Sequence, residues 1–223
     1  TKLEAYSRPR QNGVNAINIL DGDQLIDVRL TDGNCHLVIA NRNGRAITFH
    51  ESTVREMGRV ATGVRGIRLD EDGQDAAVGM IVVKNFQEET VMVISEQGYG
   101  KRSIAEDYRI TNRGGKGVAT MKITEKTGDV IGVKAVTDDH EIMMITSKGI
   151  IIQLRMDDIS VLGRNTSGVK MINLETGVKV AQIAKVREKV SDGISEFENI
   201  EDAMEDTEAA NQELAQRYPE RLA

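Results

Sequence analysis

A repeated arginine is the clearest chemical signal in this chain. In three segments an arginine stands four residues before a Gly-Val pair, and a shorter copy with one residue fewer occurs near the start. The segments are Arg59-Val-Ala-Thr-Gly63-Val64, Arg113-Gly-Gly-Lys116-Gly117-Val118, Arg164-Asn-Thr-Ser-Gly168-Val169 and Arg10-Gln-Asn-Gly13-Val14. Glycine-rich corners let main-chain N–H groups approach an anion while a neighbouring cation reaches it. The pattern therefore predicts phosphate contacts, and a solvated turn kept soluble by arginine is the alternative.

The spacing of these segments indicates a repeat protein. Their glycines, at positions 13, 63, 117 and 168, lie 50, 54 and 51 residues apart. Self-similarity at a fixed spacing near fifty is typical of one supersecondary unit stacked several times. A cation at the same corner of each unit would place charge on the same edge of every repeat, which suits a surface that follows a long polyanion.

Short apolar runs predict the strands that must position these corners. In the unit that begins at Gly44 they cover residues 46–50, 64–69, 77–83 and 91–94, and in the later units residues 103–104, 118–123, 130–136, 142–145, 150–154, 169–174 and 180–186. Short β-rich runs bounded by Gly, Asn and Asp indicate antiparallel sheet. Four strands per unit predict an all-β, propeller-like array of blades, a β-pinwheel of about three and a half blades because the first unit is incomplete.

Strand alternation adds further candidates for phosphate contact. After each Gly-Val pair two apolar residues share one face, and the residue between them points to the other. These intervening residues are Asn18, Arg68, Lys122 and Asn173. Phosphate contact and ordinary surface polarity are equally good interpretations of them. The other cations in the predicted set are Arg8, Arg10, Arg55, Lys101, Arg102, Arg109, Lys116 and Arg155, together with the corner arginines Arg59, Arg113 and Arg164.

The charge of the chain is unevenly distributed. Its 223 residues carry a net charge of −6, but residues 1–189 hold 27 Lys and Arg against 25 Asp and Glu. Residues 190–223 hold 2 against 10, a charge of −8. The acidic balance therefore does not exclude a nucleic-acid partner for the first part. We expect residues 1–189 to form the repeats and residues 190–223 to form an acidic tail, disordered or weakly helical.

Catalytic and metal-binding patterns are poor. Cys35 is the single cysteine, which excludes a disulfide framework and fits a reducing cytoplasm. His36, His50 and His140 lack metal-ligand spacing, and the acidic pairs at 138–139 and 157–158 lie in turn-like stretches. No stretch approaches the roughly 18 apolar residues of a membrane span. We therefore predict no catalytic site, no metal, no cofactor and no small-molecule substrate in this chain, which starts in mid-pattern like a fragment.

Five strings resemble the C-terminal domain of the bacterial DNA gyrase A subunit, and the similarity runs from residue 2 to about residue 186. They are Glu51-Ser-Thr-Val-Arg-Glu-Met-Gly58, Thr62-Gly-Val-Arg-Gly-Ile-Arg-Leu69, Gln97-Gly-Tyr-Gly-Lys-Arg102, Ile142-Met-Met-Ile-Thr146 and Val161-Leu-Gly-Arg-Asn-Thr-Ser-Gly-Val169. The resemblance implies a six-bladed β-pinwheel whose neighbouring blades exchange strands and whose basic perimeter wraps DNA. The chain would hold the later part of the third blade and the fourth to sixth.

The resemblance also implies partners. These are double-stranded DNA, bound without sequence specificity, and the remainder of the gyrase A and B subunits, in the bacterial cytoplasm at the nucleoid. Catalysis by this ATP-dependent type II topoisomerase would lie outside the chain. The family's hallmark heptapeptide, Gln-Arg-Arg-Gly-Gly-Lys-Gly, belongs to the first blade, and residues 111–117 resemble it from its third position on. The alternatives are the related domain of the topoisomerase IV C subunit, or a propeller-like protein-interaction module that does not bind DNA.

Overall fold

The computed structural model describes residues 1–71 and 73–186, and the predicted acidic tail lies outside them. The described residues contain no α-helix, and none of their helical turns is long and apolar enough to cross a membrane. Their strands are β1 (His36–Asn41), β2 (Arg45–His50), β3 (Ala77–Val83), β4 (Thr90–Ser95), β5 (Tyr99–Ile104), β6 (Val118–Ala119), β7 (Val130–Val136), β8 (Glu141–Thr146), β9 (Ile151–Arg155), β10 (Val169–Lys170) and β11 (Val180–Val186). Short 3-10 helices cover Leu3–Tyr6, Glu51–Thr53 and Ala105–Asp107.

These strands form three antiparallel sheets, in the orders β3-β1-β2-β6, β10-β5-β4-β7 and β11-β8-β9. In the first sheet the fourth strand, β6, belongs to the next repeat, where Val118 pairs with Ala46. In the second sheet β10 plays the same part, and Val169 pairs with Gly100. The predicted all-β fold of antiparallel blades is therefore confirmed, and each four-stranded sheet contains strands from more than one repeat.

Neighbouring sheets pack against each other through β3, β7 and β11, each of which is the end strand of its sheet. β7 lies beside both β3 and β11. A Cβ atom on Gly79 of β3 would lie 3.2 Å from Val133 of β7, and one on Gly132 of β7 would lie 2.8 Å from Ile183 of β11. β3 and β7 stand at the end of their sheets opposite to β6 and β10. The exchanged strands therefore occupy the outer ends of the blades.

Aliphatic and methionine side chains fill the space between blades, as the near absence of aromatic residues requires. One buried cluster joins Val38 of the first sheet to Val93 of the second, and another joins Met92 of the second to Met144 of the third. Burial of each such side chain contributes about 1.5–3 kcal/mol. Since both clusters span two sheets, each repeat depends on its neighbour for a core.

The strand prediction was wrong after each Gly-Val pair. Residues 64–69 form no strand, and the strands expected at 118–123 and 169–174 are only two residues long. The chain leaves the sheet here because its main chain bonds to the next corner instead. The N–H of Arg68, for example, donates to the carbonyl oxygen of Gly115 at 2.9 Å.

Candidate nucleic-acid interface

Three equivalent segments of the chain, residues 55–68, 109–122 and 160–173, contain the arginine corners and are called the corner edge below. The second and third segments contain the exchanged strands, which lie at the outer ends of their sheets. Each also makes a parallel bridge to the sheet it joins, Ile110 to Thr48 and Val161 to Arg102. The corner edge therefore runs along the outside of successive blades.

The glycine of the Gly-Val pair is needed for strand exchange. Gly117 has φ +69°, and a Cβ atom there would lie 2.2 Å from the carbonyl oxygen of Ala46. Gly168 has φ +75°, and its Cβ atom would lie 2.4 Å from the carbonyl oxygen of Gly100. Only glycine combines a positive φ with so close a main-chain approach. At these two corners the motif's glycine is explained by packing, without any ligand.

The corner arginines occupy equivalent positions in the repeat, and each is only partly exposed. All three side chains are half-buried, and their guanidinium groups donate to main-chain carbonyl oxygens of the preceding repeat. The bonds run from Arg59 to Asn15 (3.2 Å), from Arg113 to Thr53 (3.0 Å) and Arg65 (3.1 Å), and from Arg164 to Ala119 (2.7 Å). The Arg164 guanidinium also lies 5.7 Å from the centre of the Tyr108 ring.

Lys101 and Arg102 are buried, at 0% and 4% exposure. The Lys101 ammonium group donates to the carbonyl oxygens of Gly163, at 2.6 Å, and of Arg164. The Arg102 guanidinium donates to the carbonyl oxygen of Ile159 at 2.9 Å and pairs with the carboxylate of Asp138. Neither charged group can reach a phosphate without leaving these partners, so both are removed from the predicted set.

The repeat alignment contained a signal for the burial of Lys101 that sequence reasoning missed. Lys101 stands three residues after Gly98, where the neighbouring repeats have Ile47 and Ile152 at the same distance from their turn glycines. An apolar residue at that position in two repeats indicates a site inside the blade.

Burial, and to a lesser extent the positive charge of Arg164, lowers the pKa of the Lys101 ammonium group from 10.5 to about 8. The unfolded chain therefore keeps this proton to a higher pH than the folded domain does. Linkage then makes stability rise as pH increases from about 8 to 10.5, by an amount on the order of 2 kcal/mol. We expect the wild type to gain unfolding free energy relative to Lys101→Met between pH 7 and pH 10, as measured by urea denaturation. An equal difference at both pH values would contradict this assignment.

Five predicted cations are exposed and form no side-chain hydrogen bond or ion pair within the described part of the chain; they are Arg8, Arg10, Arg55, Arg109 and Lys122. Three more are exposed but paired with acids, Arg68 with Glu71 at 2.9 Å, Lys116 with Asp70 at 3.9 Å and Arg155 with Asp157 at 2.5 Å. Exposed ion pairs are worth little, about 0–1 kcal/mol, so an arriving phosphate competes with them easily.

Positions within the repeat relate several of these cations. Arg55 and Arg109 each stand four residues before a corner arginine and two after a 3-10 helix. A second equivalent pair, Arg65 and Lys170, stands two residues after the corner glycine, and both side chains are exposed. Sequence reasoning missed this pair, although its shared repeat position was a usable signal. Equivalent cations therefore occur in more than one repeat, and Arg55 and Arg109 lie in consecutive ones.

The predicted alternation after the Gly-Val pairs holds in the complete repeats. Asn18, Arg68, Lys122 and Asn173 are all exposed, and the apolar residues beside the last three are buried or half-buried. In the first, incomplete repeat the corresponding Ile17 and Ile19 are 41% and 47% exposed.

Arginines also converge in the first repeat. Arg8, Arg10 and Arg59 line a cavity of about 440 Å³ around the turn at Gly13, and no acidic residue lines it. A concave site with three guanidinium groups and no carboxylate favours an anion.

One group of side chains has the composition of a metal site. Ligand atoms of Asp32, Cys35 and Glu51 lie within 4.8 Å of one another. Hydrogen bonds account for this grouping, because the Cys35 thiol donates to Asp32 at 3.1 Å and the Cys35 N–H donates to Glu51 at 2.6 Å. We assign no metal to it.

Antiparallel sheets that recur along the chain and exchange their outer strands are the blades of a β-propeller type of repeat domain. The family described as DNA gyrase C-terminal domain, beta-propeller, matches residues 1–32, 36–84, 89–137 and 140–187. The chain belongs to this family.

Individual relatives agree. The chain is 43% identical over 189 residues to the DNA gyrase A subunit of Staphylococcus epidermidis, covering 85% of the chain and 21% of that protein. It thus spans about a fifth of the length of the gyrase relatives it matches. Among solved structures, the C-terminal domain of DNA topoisomerase IV has a TM-score of 0.77 and 27% identity, covering 82% of this chain and 57% of its own. A DNA gyrase A C-terminal domain has a TM-score of 0.71 and 25% identity, covering 78% and 58%.

Proposed function

We propose that this domain binds double-stranded DNA along the corner edge and wraps it around the outside of the blades, without reading its sequence. The observation that carries the proposal is the recurrence, at equivalent positions, of two exposed cations, Arg55 and Arg109, whose side chains have no bonding partner among the described residues. Lys122 lies on the same edge. Binding through the phosphate backbone and DNA deformability needs a curved series of cations and no base contacts.

The domain acts within the A subunit of a bacterial DNA gyrase. Its relatives carry that name, and the part of them that this chain matches is about a fifth of their length. Catalytic residues of the ATP-dependent topoisomerase lie elsewhere in the A and B subunits, while this domain presents DNA for negative supercoiling. The site of action is the nucleoid in the bacterial cytoplasm.

Replacement of these exposed cations tests the proposal directly. We expect Arg55→Gln, Arg109→Gln and Lys122→Gln combined to weaken duplex binding by at least 10-fold at about 100 mM salt. The slope of log K against log[salt] should become shallower by about 3, since each lost phosphate contact removes roughly one released counterion. Fluorescence anisotropy with a labelled duplex measures both quantities.

A charge-matched control separates local contacts from net charge. Lys84, Lys148 and Lys179 are exposed and lie outside the corner edge, and the last two pair with Glu175 and Glu96. Their combined replacement by glutamine removes the same total charge, and we expect it to change the affinity by less than about 3-fold. Equal losses in the two triple variants would show diffuse attraction, and no measurable binding by wild type would favour a protein-interaction module.

A further inference from the structure

The three corner arginines make the same hydrogen bond, to the same position of the preceding repeat. Each donates to the carbonyl oxygen of the residue that stands two positions after the corner glycine of the preceding repeat. The acceptors are Asn15 after Gly13, Arg65 after Gly63 and Ala119 after Gly117. Three of three bonds in register identify a feature of the repeat, since chance packing would not select the same acceptor each time.

A main-chain bond runs in the opposite direction between the same corners. The N–H of the residue five positions after each glycine donates to the carbonyl oxygen two positions after the next corner arginine. The pairs are Asn18 to Ala61 (3.2 Å), Arg68 to Gly115 (2.9 Å) and Lys122 to Thr166 (3.0 Å). Consecutive corners are therefore joined twice, once by the arginine side chain and once by the main chain.

The donors of these main-chain bonds include two of the exposed cations on the corner edge, Arg68 and Lys122. We propose that Arg113 and Arg164 are positioning residues, which hold the segment of the preceding blade so that Arg68 and Lys122 face the DNA. They are not phosphate ligands themselves. The part of this inference that concerns DNA rests on the proposed function. The bonds between consecutive corners do not depend on it.

The bonds of the corner arginines favour a structural link between two corners, called a tie below, over a role as phosphate ligands. A guanidinium that donates to main-chain carbonyl oxygens inside a half-buried corner has only its remaining N–H groups for a phosphate, because moving the bonded ones would leave the carbonyl oxygens unpaired. Arginine suits this role because its planar fork presents several donors at fixed angles, whereas lysine is a flexible point charge. A phosphate ligand, in contrast, tolerates replacement by lysine much better than a tie does.

Arg164 and Lys122 provide the sharpest test, because Lys122 has no acid partner in the described residues. We expect Arg164→Gln and Arg164→Lys to speed hydrogen exchange of the Lys122 amide by at least 10-fold, as measured by NMR without DNA. Exchange of the Val133 amide, in the core strand β7, should stay within about 2-fold of wild type. An unchanged Lys122 amide in both variants would overturn the inference, whatever the outcome with DNA.

DNA binding gives the second readout through a double-mutant cycle. Arg164→Gln should lower affinity several-fold alone, but it should add little in a Lys122→Gln background, because it acts through Lys122. Arg109→Gln is the matched control, since it should weaken DNA binding without changing the Lys122 amide. Additive losses together with wild-type affinity in Arg164→Lys would make Arg164 a phosphate ligand and overturn the proposal. If Arg164→Gln fails to fold, Arg113→Lys with the Arg68 amide provides the same measurement at the other corner.

Discussion

Raising the salt concentration from 50 to 200 mM should weaken duplex binding by this domain about 1,000-fold. Eight exposed cations of the predicted set remain after the buried and tied ones are removed; they are Arg8, Arg10, Arg55, Arg68, Arg109, Lys116, Lys122 and Arg155. If about six of them contact phosphates, counterion release gives a slope of log K against log[salt] of about −5.

The same titration, repeated with two duplexes of unrelated sequence, checks the mode of recognition. We expect the two affinities to agree within about 3-fold at each salt concentration, because backbone contacts carry no sequence information. A flat salt response would contradict phosphate binding and favour a protein partner. A steep response with one strongly preferred duplex would contradict wrapping through backbone contacts alone.

Much of the fold was predictable because the relevant signals are local. The runs 77–83, 130–136 and 180–186 coincide with β3, β7 and β11, since each is rich in aliphatic residues. The equivalence of the corner arginines was also predictable, because a repeat transfers position from one unit to the next.

The environment of each arginine was not predictable in the same way. Exposure of Arg113 depends on which carbonyl oxygens a segment about fifty residues away presents to it, and no local pattern encodes that. Equivalent cations in a glycine-rich turn are consistent with either a ligand or a tie. Only the bonds to Thr53 and Arg65 distinguish the two. Sequence reasoning thus located the corners, but it could not give the carbonyl partners of their arginines.

Substitution of Gly117 by alanine should destabilise the domain more than any single charge change discussed above. The new Cβ atom would lie 2.2 Å from the carbonyl oxygen of Ala46, a main-chain atom that cannot move without breaking the β2–β6 pairing. A positive φ adds its own cost for a residue other than glycine. We expect a loss of about 3–5 kcal/mol of unfolding free energy and a fall in Tm of roughly 10 °C.

Gly63 offers a matched control within the same molecule. It holds the same repeat position with φ +88°, but no atom lies within 4 Å of the place a Cβ would take. Gly63→Ala should therefore cost only the backbone strain, about 1–2 kcal/mol. The difference between the two variants, measured by urea denaturation, isolates the contribution of strand exchange. Equal losses would mean that the positive φ alone explains the motif's glycine, and that the close approach to Ala46 adds no further cost.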